Sequence, residues 1–485
     1  MSVWAVIKTS LFGLSAICMM APEMLQAQLS EPIQAIVESG RTGDSFWAVV
    51  VTDSSGRYLE DYNREKLIRP ASNFKLVTSA AALHTLGPDY TYTTSLYAIG
   101  RQEGNRWNGD LLIRGAGDPS ISGEFADGNA LFLFEKWRER LQSMGIEQID
   151  GNLIGNESYF DDIPYPRGWE WDDLTFYYAP EINALSFNNN AVELEVLADG
   201  PVGSTPNIQW FPFNTPYVEF INEQLITPAQ ASYDESYRRE LGSNTIYLRS
   251  TLPQGYYESE PLTVARPSLY FLDTFKRFLE QGGIQVSGQL IPDRQPRDWS
   301  QFQLLDEHKS VPLIRMIERK NRESDNFYAE MILKTMAAET YQTEGTTELG
   351  IEIVEQFMSE AGIDTAQVRM RDGSGLAPAT LIKAGDLNRL LQHIKGYDWY
   401  ELYYQTLSVA GVNGTLQYRF QNSPVKNRFY GKTGFMSGIR VLTGYLTTQS
   451  GEQLVVTIAT NHYTVRTSTV DVLHERILEY LYNIY

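Results

Sequence analysis

The chain has 485 residues, with 40 lysine and arginine residues against 60 aspartate and glutamate residues, which gives a formal net charge of −20 at pH 7. A chain of this length is longer than one that usually folds around a single hydrophobic core, so we expect two or three domains. The acidic balance argues against nucleic-acid binding, because that function rewards clustered lysine and arginine.

The first 27 residues have the pattern of a secretory signal peptide. Lys8 supplies a positive charge, and residues 11–21 form an apolar stretch that is too short to span a bilayer. Residues 25–27 suit a cleavage site and place the mature start near Gln28. The single cysteine, Cys18, lies in this segment, so the mature chain is predicted to have no disulfide. We therefore expect an exported protein, and no later apolar run is long enough to cross a membrane.

A β-hairpin and a helix are predicted next along the chain. Residues 46–52 are apolar and rich in β-branched side chains, a turn follows, and residues 57–62 form the returning strand. Residues 73–86 have a helical pattern that ends at Gly87, a residue that suits a helix C-cap.

Ser72 and Lys75 form an S-x-x-K pair at the start of this helix. Residues three apart share one face of a helix, so Lys75 can reach back to the Ser72 hydroxyl. A second pair, Ser423 and Lys426, contains Pro424 and precedes a strand-like segment, so it lacks the helical register. Taken alone, Ser72 could also be an N-cap of the helix. Its role therefore depends on the motifs that follow.

The middle of the chain contains more material than a helical subdomain needs. Residues 109–113 and 152–154 resemble short strands, and residues 207–249 are rich in proline and aromatic side chains. Residues 268–282 have a helical pattern. We therefore predict an inserted region at residues 96–302.

Two further motifs complete the S-x-x-K pair. An S-x-N motif at residues 324–326 precedes a helical stretch at 327–341, and a K-T-G motif occupies residues 432–434. Alone, the first could be a helix cap and the second a turn that begins a strand. In this order, the three motifs form the set typical of penicillin-recognising serine acyl enzymes.

The C-terminal region predicts two strands and a helix. Residues 440–448 and 453–461 read as strands. The final helix carries its apolar side chains on one face, namely Val472, Leu473, Ile477, Leu478 and Leu481. Strands at both ends of the chain indicate one sheet that is built from both ends.

The motifs supply the groups that a serine nucleophile requires, which are a base, a proton relay and an oxyanion site. We expect Ser72 to be the nucleophile and Lys75 the general base. Burial and a nearby cation, such as Lys432, would keep the Lys75 amine neutral. Ser324 is expected to relay a proton to the leaving amine, and Asn326 to hold the substrate backbone.

The K-T-G strand is expected to bind the substrate. Lys432 and Thr433 would hold its terminal carboxylate, with Gly434 beside them, and the backbone N–H groups of Ser72 and Phe435 would form the oxyanion hole. We expect no metal and no cofactor, because the five histidines are scattered and no H-E-x-x-H motif is present.

Four more segments extend the similarity to a known family. They are residues 109–120, 169–180, 372–376 and 410–416. With these segments the chain resembles, from about residue 72 to 445, the D-alanyl-D-alanine carboxypeptidase/endopeptidases of the DacB type. These proteins are the class C low-molecular-mass penicillin-binding proteins.

The resemblance implies an α+β fold. A penicillin-binding-protein/β-lactamase-like domain would contain an antiparallel five-stranded sheet flanked by helices, with large inserted β-rich domains. The implied organisation is a signal peptide at 1–27, a serine acyl-enzyme domain at 28–95 and 303–485, and an inserted region of two nested domains at 96–302.

The resemblance also implies the activity. It predicts a periplasmic serine DD-peptidase that cleaves the D-Ala-D-Ala bond of peptidoglycan stem peptides and extends to D-Ala-diaminopimelate cross-links. β-Lactam antibiotics would be covalent inhibitors. In relatives, the residues matching Trp169, Asp172, Tyr177 and Met436 line a pocket for the diaminopimelate amine. No oligomeric state is indicated.

The chain departs from the family pattern at two positions. Phe435 replaces the usual Thr or Ser after K-T-G, and Asn413 replaces the usual Asp. Two other functions stay open at this point. A serine β-lactamase shares the motifs, although no E-x-x-L-N segment supplies a class A deacylating Glu. A non-catalytic peptidoglycan-binding scaffold would tolerate degenerate motifs, whereas these motifs are complete.

Overall fold

The computed structural model describes residues 29–485, so the predicted signal peptide and Cys18 lie outside the described residues. This part of the chain contains ten α-helices. They are α1 (Glu31–Val37), α2 (Phe74–Leu86), α3 (Phe132–Ser143), α4 (Pro267–Gln281), α5 (Leu313–Arg322), α6 (Asn326–Tyr341), α7 (Thr347–Glu360), α8 (Ala384–His393), α9 (Tyr400–Gln405) and α10 (Thr467–Ile484).

Residues 29–485 also contain twenty-five strands. They are β1 (Phe46–Thr52), β2 (Tyr58–Tyr62), β3 (Leu67–Ile68), β4 (Thr93–Ala98), β5 (Arg101–Glu103), β6 (Arg106–Asn108), β7 (Leu111–Arg114), β8 (Gln148–Asp150), β9 (Leu153–Asn156), β10 (Ala191–Leu197), β11 (Asn207–Phe211), β12 (Glu219–Asn222), β13 (Leu225–Thr227), β14 (Tyr237–Arg239), β15 (Thr245–Leu248), β16 (Thr251–Pro253), β17 (Tyr257–Thr263), β18 (Gln285–Val286), β19 (Leu290–Asp293), β20 (Gln303–Lys309), β21 (Ile382–Lys383), β22 (Ser408–Val409), β23 (Phe429–Met436), β24 (Ile439–Thr447) and β25 (Gln453–Asn461).

The central sheet joins the two ends of the chain, as predicted. Its strand order is β2-β1-β25-β24-β23-β22, and every neighbouring pair is antiparallel. The N-terminal hairpin pairs with the C-terminal strands at β1 and β25, where Val50 lies opposite Thr457. Five of these strands match the expected sheet, and the two-residue strand β22 adds a sixth at the edge beside β23.

Helices cover both faces of this sheet. Val441 and Tyr445 of β24 face a core shared with α2 and α5–α8, whereas Leu442 and Leu446 face a core shared with α1 and α10. Strands covered on both faces are buried at consecutive positions and not at alternate ones, and β25 is accordingly buried from Leu454 to Asn461. Helix α2 lies in the first core and is buried from Phe74 to Leu83, so its N-terminus is held rigidly.

The inserted region has its own sheets and its own hydrophobic core. A five-stranded mixed sheet has the order β19-β9-β7-β4-β20, and a four-stranded sheet has the order β18-β8-β6-β5. Smaller sheets formed by β10–β17 lie further along the chain. Strands β4 and β20 pair with each other where the insertion leaves and rejoins the rest of the chain, with Ser95 opposite Glu307. The sheet of the inserted region therefore extends from Thr93 to Lys309, beyond the predicted limits at residues 96 and 302. The division into domains stays a prediction.

Within residues 29–485, no helix combines the length and the apolar composition that a membrane crossing requires.

Candidate active site

Ser72 and Lys75 lie on one face of the chain segment that begins α2. A 3-10 turn at Ala71–Asn73 leads into the helix, which ends at Gly87 with a left-handed φ of 80°. The Lys75 Nζ atom lies 3.0 Å from the Ser72 Oγ atom. Ser72 is partly exposed and Lys75 is fully buried. The helical register predicted for this pair is therefore present in the structure.

Three oxygen atoms surround the Lys75 amine. Besides Ser72 Oγ, Nζ donates to Asn326 Oδ1 and, at 3.0 Å, to the backbone oxygen of Ser374. The Asn326 and Ser374 oxygens can only accept hydrogen bonds, so they match the two hydrogens of a neutral Lys75 amine. The remaining lone pair then lies next to the Ser72 hydroxyl. This arrangement suits proton transfer from Ser72 to Lys75.

Burial lowers the pKa of the Lys75 ammonium from 10.5 to about 8, because the charged form loses its hydration. Three nearby carboxylates oppose the shift, namely Asp372, Glu330 and Asp325. Burial is therefore the main cause, and the expectation that the Lys432 charge keeps Lys75 neutral is not supported. Burial, and then the neighbouring Lys75, also lower the pKa of Lys432 itself.

The S-x-N motif forms the turn into α6. The Asp325 side chain accepts a hydrogen bond from the Tyr328 N–H and caps the helix, so capping and a site role coexist in this motif. Ser324 has a left-handed φ of 64°, which is strained for a serine. Its Oγ atom accepts a hydrogen bond of 2.8 Å from Lys432 Nζ. The Asn326 Nδ2 atom donates to the backbone oxygen of Tyr178 at 2.7 Å, a contact with the inserted region.

The K-T-G motif lies on β23, where it passes close to the turn before Ser72. A side chain at Gly434 would lie 2.5 Å from the backbone oxygen of Pro70, so only glycine allows this approach. Lys432 Nζ also donates to the Thr433 backbone oxygen, and the Thr433 hydroxyl donates to the Thr415 hydroxyl at 2.7 Å. The strand thereby brings the third motif beside the first two.

Phe435 occupies the outer end of this strand and is 57% exposed. It lies opposite Arg440 on β24, whose guanidinium group is 5.9 Å from the phenyl ring. Asp471 holds this guanidinium group with two hydrogen bonds. Phe435 therefore presents an aromatic surface where a hydroxyl group was expected.

The four residues predicted to read a substrate amine do not form one cluster of direct contacts. The Trp169 indole donates to Asp372 at 3.0 Å, and Trp169 and Met436 both pack at the edge of the core around α2. Asp172 is exposed in the same loop as Trp169. Tyr177 instead lines a cavity of about 500 Å³ that also includes Asp325.

The side chains of the second S-x-x-K pair bond within their own loop and not to each other. Ser423 Oγ accepts a hydrogen bond from the Val425 N–H, and Lys426 Nζ bonds to Gln421. The contact between lysine and serine that is present at Ser72 is therefore absent at Ser423.

Sequence reasoning missed the loop that supplies the third partner of Lys75. In the sequence, residues 372–376 are marked only by their similarity to relatives. In the structure Asp372 accepts bonds from Ser374 Oγ and from the backbone N–H groups of Gly375 and Ala377. A side chain at Gly375 would lie 2.1 Å from the Ala71 backbone oxygen, so this loop packs directly on the turn that carries Ser72.

Comparison with known proteins places these features in one family. The sequence pattern of the D-Ala-D-Ala carboxypeptidase 3 (S13) family matches residues 29–476. The chain is 29% identical to the D-alanyl-D-alanine carboxypeptidase of Actinomadura sp. (strain R39), over 93% of this chain and 85% of that protein. It is 25% identical to the D-alanyl-D-alanine carboxypeptidase DacB of Haemophilus influenzae, over 91% of this chain and 90% of that protein.

The fold is shared with a solved structure as well. Penicillin binding protein 4 (dacB) from Haemophilus influenzae superposes with a TM-score of 0.81 at 22% identity, over 93% of this chain and 99% of that chain. The predicted fold class and the predicted resemblance to the DacB type are thus confirmed. The chain belongs to the D-Ala-D-Ala carboxypeptidase 3 (S13) family and is a serine-type D-Ala-D-Ala carboxypeptidase.

Proposed function

We propose that this carboxypeptidase acts on peptidoglycan stem peptides through a Ser72 acyl-enzyme, and that it also cleaves D-Ala-diaminopimelate cross-links. The contact between the buried Lys75 amine and the Ser72 hydroxyl carries the proposal. A serine hydroxyl needs an adjacent base, and an amine whose pKa is lowered to about 8 is partly neutral near neutral pH.

In the first step, Ser72 Oγ attacks the carbonyl carbon of the penultimate D-Ala while Lys75 accepts the hydroxyl proton. The negative charge moves to the carbonyl oxygen, which accepts hydrogen bonds from the backbone N–H groups of Ser72 and Phe435. The Asn326 amide has a second N–H besides the one bonded to Tyr178. That N–H is available for a backbone carbonyl of the substrate.

In the second step, the C–N bond breaks and the leaving amine takes a proton from Ser324. The Ser324 hydroxyl recovers a proton from Lys432, to which it is hydrogen-bonded. Lys75 then releases the proton that it took from Ser72, and the Lys432 ammonium is restored, so both amines return to their starting forms. Water attacks the ester carbonyl and gives a proton to the neutral Lys75 amine, which passes it to Ser72 Oγ as the ester C–O bond breaks. The balance requires no metal or cofactor.

The carboxylate of the terminal D-Ala is assigned to Lys432 and Thr433. An approaching carboxylate favours the ammonium form of Lys432, which counters the effect of burial. The Thr433 hydroxyl donates its single hydrogen to Thr415 in this structure, so binding would require that hydrogen to turn toward the carboxylate. Phe435 contributes no hydroxyl here, so this enzyme would bind the carboxylate with fewer side-chain donors than the family pattern provides.

Cross-link cleavage is the same reaction with a larger leaving group. Both substrates break the bond after a D-Ala residue and differ only in the amine that departs. The cavity beside Asp325 and Tyr177 offers room for a larger peptide next to the Ser324 turn. The exposed Asp172 carboxylate and the Tyr177 ring provide an anionic and an aromatic surface for a side-chain ammonium group.

We also propose that β-lactams acylate Ser72 and that the protein is exported to the periplasm. A structure of the Haemophilus influenzae relative is described as complexed with a novel β-lactam, which supports the first point. The signal-like pattern of residues 1–27 supports the second.

Product analysis on purified muropeptides tests the proposal. The wild type should release D-Ala from monomers that end in D-Ala-D-Ala and should convert cross-linked dimers to monomers. Ser72→Ala should do neither, whereas Ser423→Ala should keep both activities. Release of D-Ala without loss of dimers would contradict the endopeptidase proposal. Rapid, repeated hydrolysis of penicillin with no lasting adduct would instead favour a β-lactamase.

A further inference from the structure

Glu330 is a fully buried carboxylate that the mechanism above does not use. It lies on α6 four residues after Asn326, so the two side chains share one face of the helix. Its Oε1 atom accepts the Ser374 N–H at 2.8 Å and its Oε2 atom accepts the Gly373 N–H at 3.0 Å. The carboxylate therefore accepts the N–H groups of two consecutive residues, Gly373 and Ser374, in the loop beside Lys75.

The same two loop residues face α2 through their carbonyl groups. The Ser374 carbonyl accepts from Lys75 Nζ at 3.0 Å, and the Gly373 carbonyl accepts from the Thr78 hydroxyl at 2.7 Å. The Ser374 residue thus links the Glu330 carboxylate on one side to the Lys75 amine on the other. Helix α6 contacts Lys75 twice, directly through Asn326 and indirectly through Glu330 and this loop.

We propose that Glu330 is a positioning residue for Lys75, because its carboxylate fixes the Ser374 carbonyl that orients the amine toward Ser72. The inference rests on the proposed acyl-enzyme mechanism. Orientation matters since a neutral amine accepts a proton only along its lone pair. Both of its N–H groups must therefore stay bonded to fixed acceptors, and the Ser374 carbonyl is one of the two.

The ionised form of Glu330 is required for this role. A carboxylate accepts both N–H bonds with charged oxygens, whereas the protonated oxygen of a carboxyl group is a much weaker acceptor. The charged groups that face it are Lys75 from α2, Lys320 from α5 and Asp372 from the loop. Burial, and then the Asp372 charge, raise the pKa of Glu330 to about 7. The carboxylate form is thus lost as the pH falls below about 7.

Two groups then control acylation on the acid side, Lys75 with a pKa of about 8 and Glu330 with a pKa of about 7. Acylation needs neutral Lys75 and ionised Glu330, so the logarithm of the rate should fall with a slope approaching two below both values. Removing the Glu330 charge takes away an anion that raises the pKa of Lys75. The remaining titration should then have a slope of one and lie at lower pH.

The test measures the rate constant for acylation by a fluorescent penicillin between about pH 5 and pH 10. Glu330→Gln removes the charge and leaves one N–H without an acceptor, so its plateau should fall roughly tenfold. Glu330→Asp keeps the charge, so the logarithm of its acylation rate should still fall with a slope approaching two at acidic pH. The matched control is Glu339→Gln on the same helix, because Glu339 accepts bonds from Tyr90 and Tyr159 and has no link to Lys75.

The outcomes separate the two proposals. A Glu330→Gln profile with a slope of one at lower pH supports the positioning role, since a purely structural loss would lower the plateau without changing the profile. A profile that keeps the wild-type shape would overturn the role of Glu330. Absence of any Ser72 adduct in the wild type would instead overturn the proposed acyl-enzyme. Melting temperatures of all variants identify those that fail to fold. If Glu330→Gln is one of them, Glu330→Asp tests the role instead: a slope approaching two in its acylation profile at acidic pH supports the role, and a slope of one contradicts it.

Discussion

Lys75 should lower the stability of this protein at neutral pH, and Lys75→Met should reveal by how much. The pKa of Lys75 is lowered from 10.5 to about 8 in the folded state because the amine is fully buried. The unfolded chain therefore binds a proton more tightly than the folded chain. Linkage converts this difference into a cost to folding that is fully present below about pH 8 and is lost as the pH rises toward 10.5.

The size of this cost follows from the two pKa values. At pH 7 the difference corresponds to about 3 kcal/mol, and at pH 10 to about 1 kcal/mol. Lys75→Met also removes hydrogen bonds to Asn326 and Ser374, which lowers stability by an amount that does not depend on pH in this range. Comparing two pH values cancels that constant contribution and leaves a change of about 2 kcal/mol.

The assay is urea unfolding of the wild type and Lys75→Met at pH 7 and at pH 10. The free energy of unfolding of the wild type, relative to the variant, should rise by about 2 kcal/mol between the two conditions. An equal difference at both pH values would show that the pKa of Lys75 is not lowered, and would refute its assignment as the neutral base. Acylation by penicillin should fall by about 10²–10⁴-fold in the same variant.

Three further predictions concern the substrate and the fold. Lys432→Ala should slow every substrate, because Lys432 reprotonates Ser324, and should slow peptides with a free C-terminal carboxylate most. Equal wild-type cleavage of an amidated peptide would contradict the carboxylate-binding role of Lys432. The wild type should prefer a D-Ala-D-Ala peptide with a free side-chain amine over its acetylated form by about tenfold to a hundredfold in kcat/KM, and Asp172→Asn should erase most of this preference. An unchanged preference in the variant would move the assignment away from Asp172. Asp161→Asn should lower the free energy of unfolding by about 3 kcal/mol, because it leaves the buried Lys334 ammonium, now 2.5 Å from Asp161, without its partner. Urea unfolding with a midpoint like that of the wild type would contradict this ion pair.

Much of the catalytic framework could be predicted from local patterns. The Ser72 and Lys75 register depends on helical spacing, which the run ending at Gly87 indicates directly. The joining of both chain ends in one sheet follows from apolar strands near both termini. The excess of chain between the first two motifs indicated the inserted region, whereas resemblance to a family supplied the sheet type and the two nested domains.

The remaining partners of Lys75 left weaker signals in the sequence. Ser374 contributes a backbone carbonyl, and every residue has one, so no side-chain pattern marks it. Glu330 did leave a signal, because it interrupts a helix that is buried on all sides from Asn326 to Ala338. A carboxylate in such a helix requires hydrogen-bond partners, and its position four residues after Asn326 points to the same site.

The sequence also does not reveal which charged groups shift the pKa of Lys75 in the folded chain. The sequence suggested that the Lys432 cation keeps Lys75 neutral. In the folded chain, burial has the larger effect, and the charges that influence Lys75 are three carboxylates that oppose it, namely Asp372, Glu330 and Asp325. Which charges surround a buried amine depends on how distant segments pack, and spacing along the chain does not contain that information.

The central claim is that Ser72 is the nucleophile. The most direct measurement is peptide mapping by mass spectrometry of the protein after reaction with a penicillin. The mechanism predicts one covalent adduct on the peptide containing Ser72, no adduct in Ser72→Ala, and an unchanged adduct in Ser423→Ala. An adduct on Ser423, or on any residue other than Ser72, would contradict the mechanism.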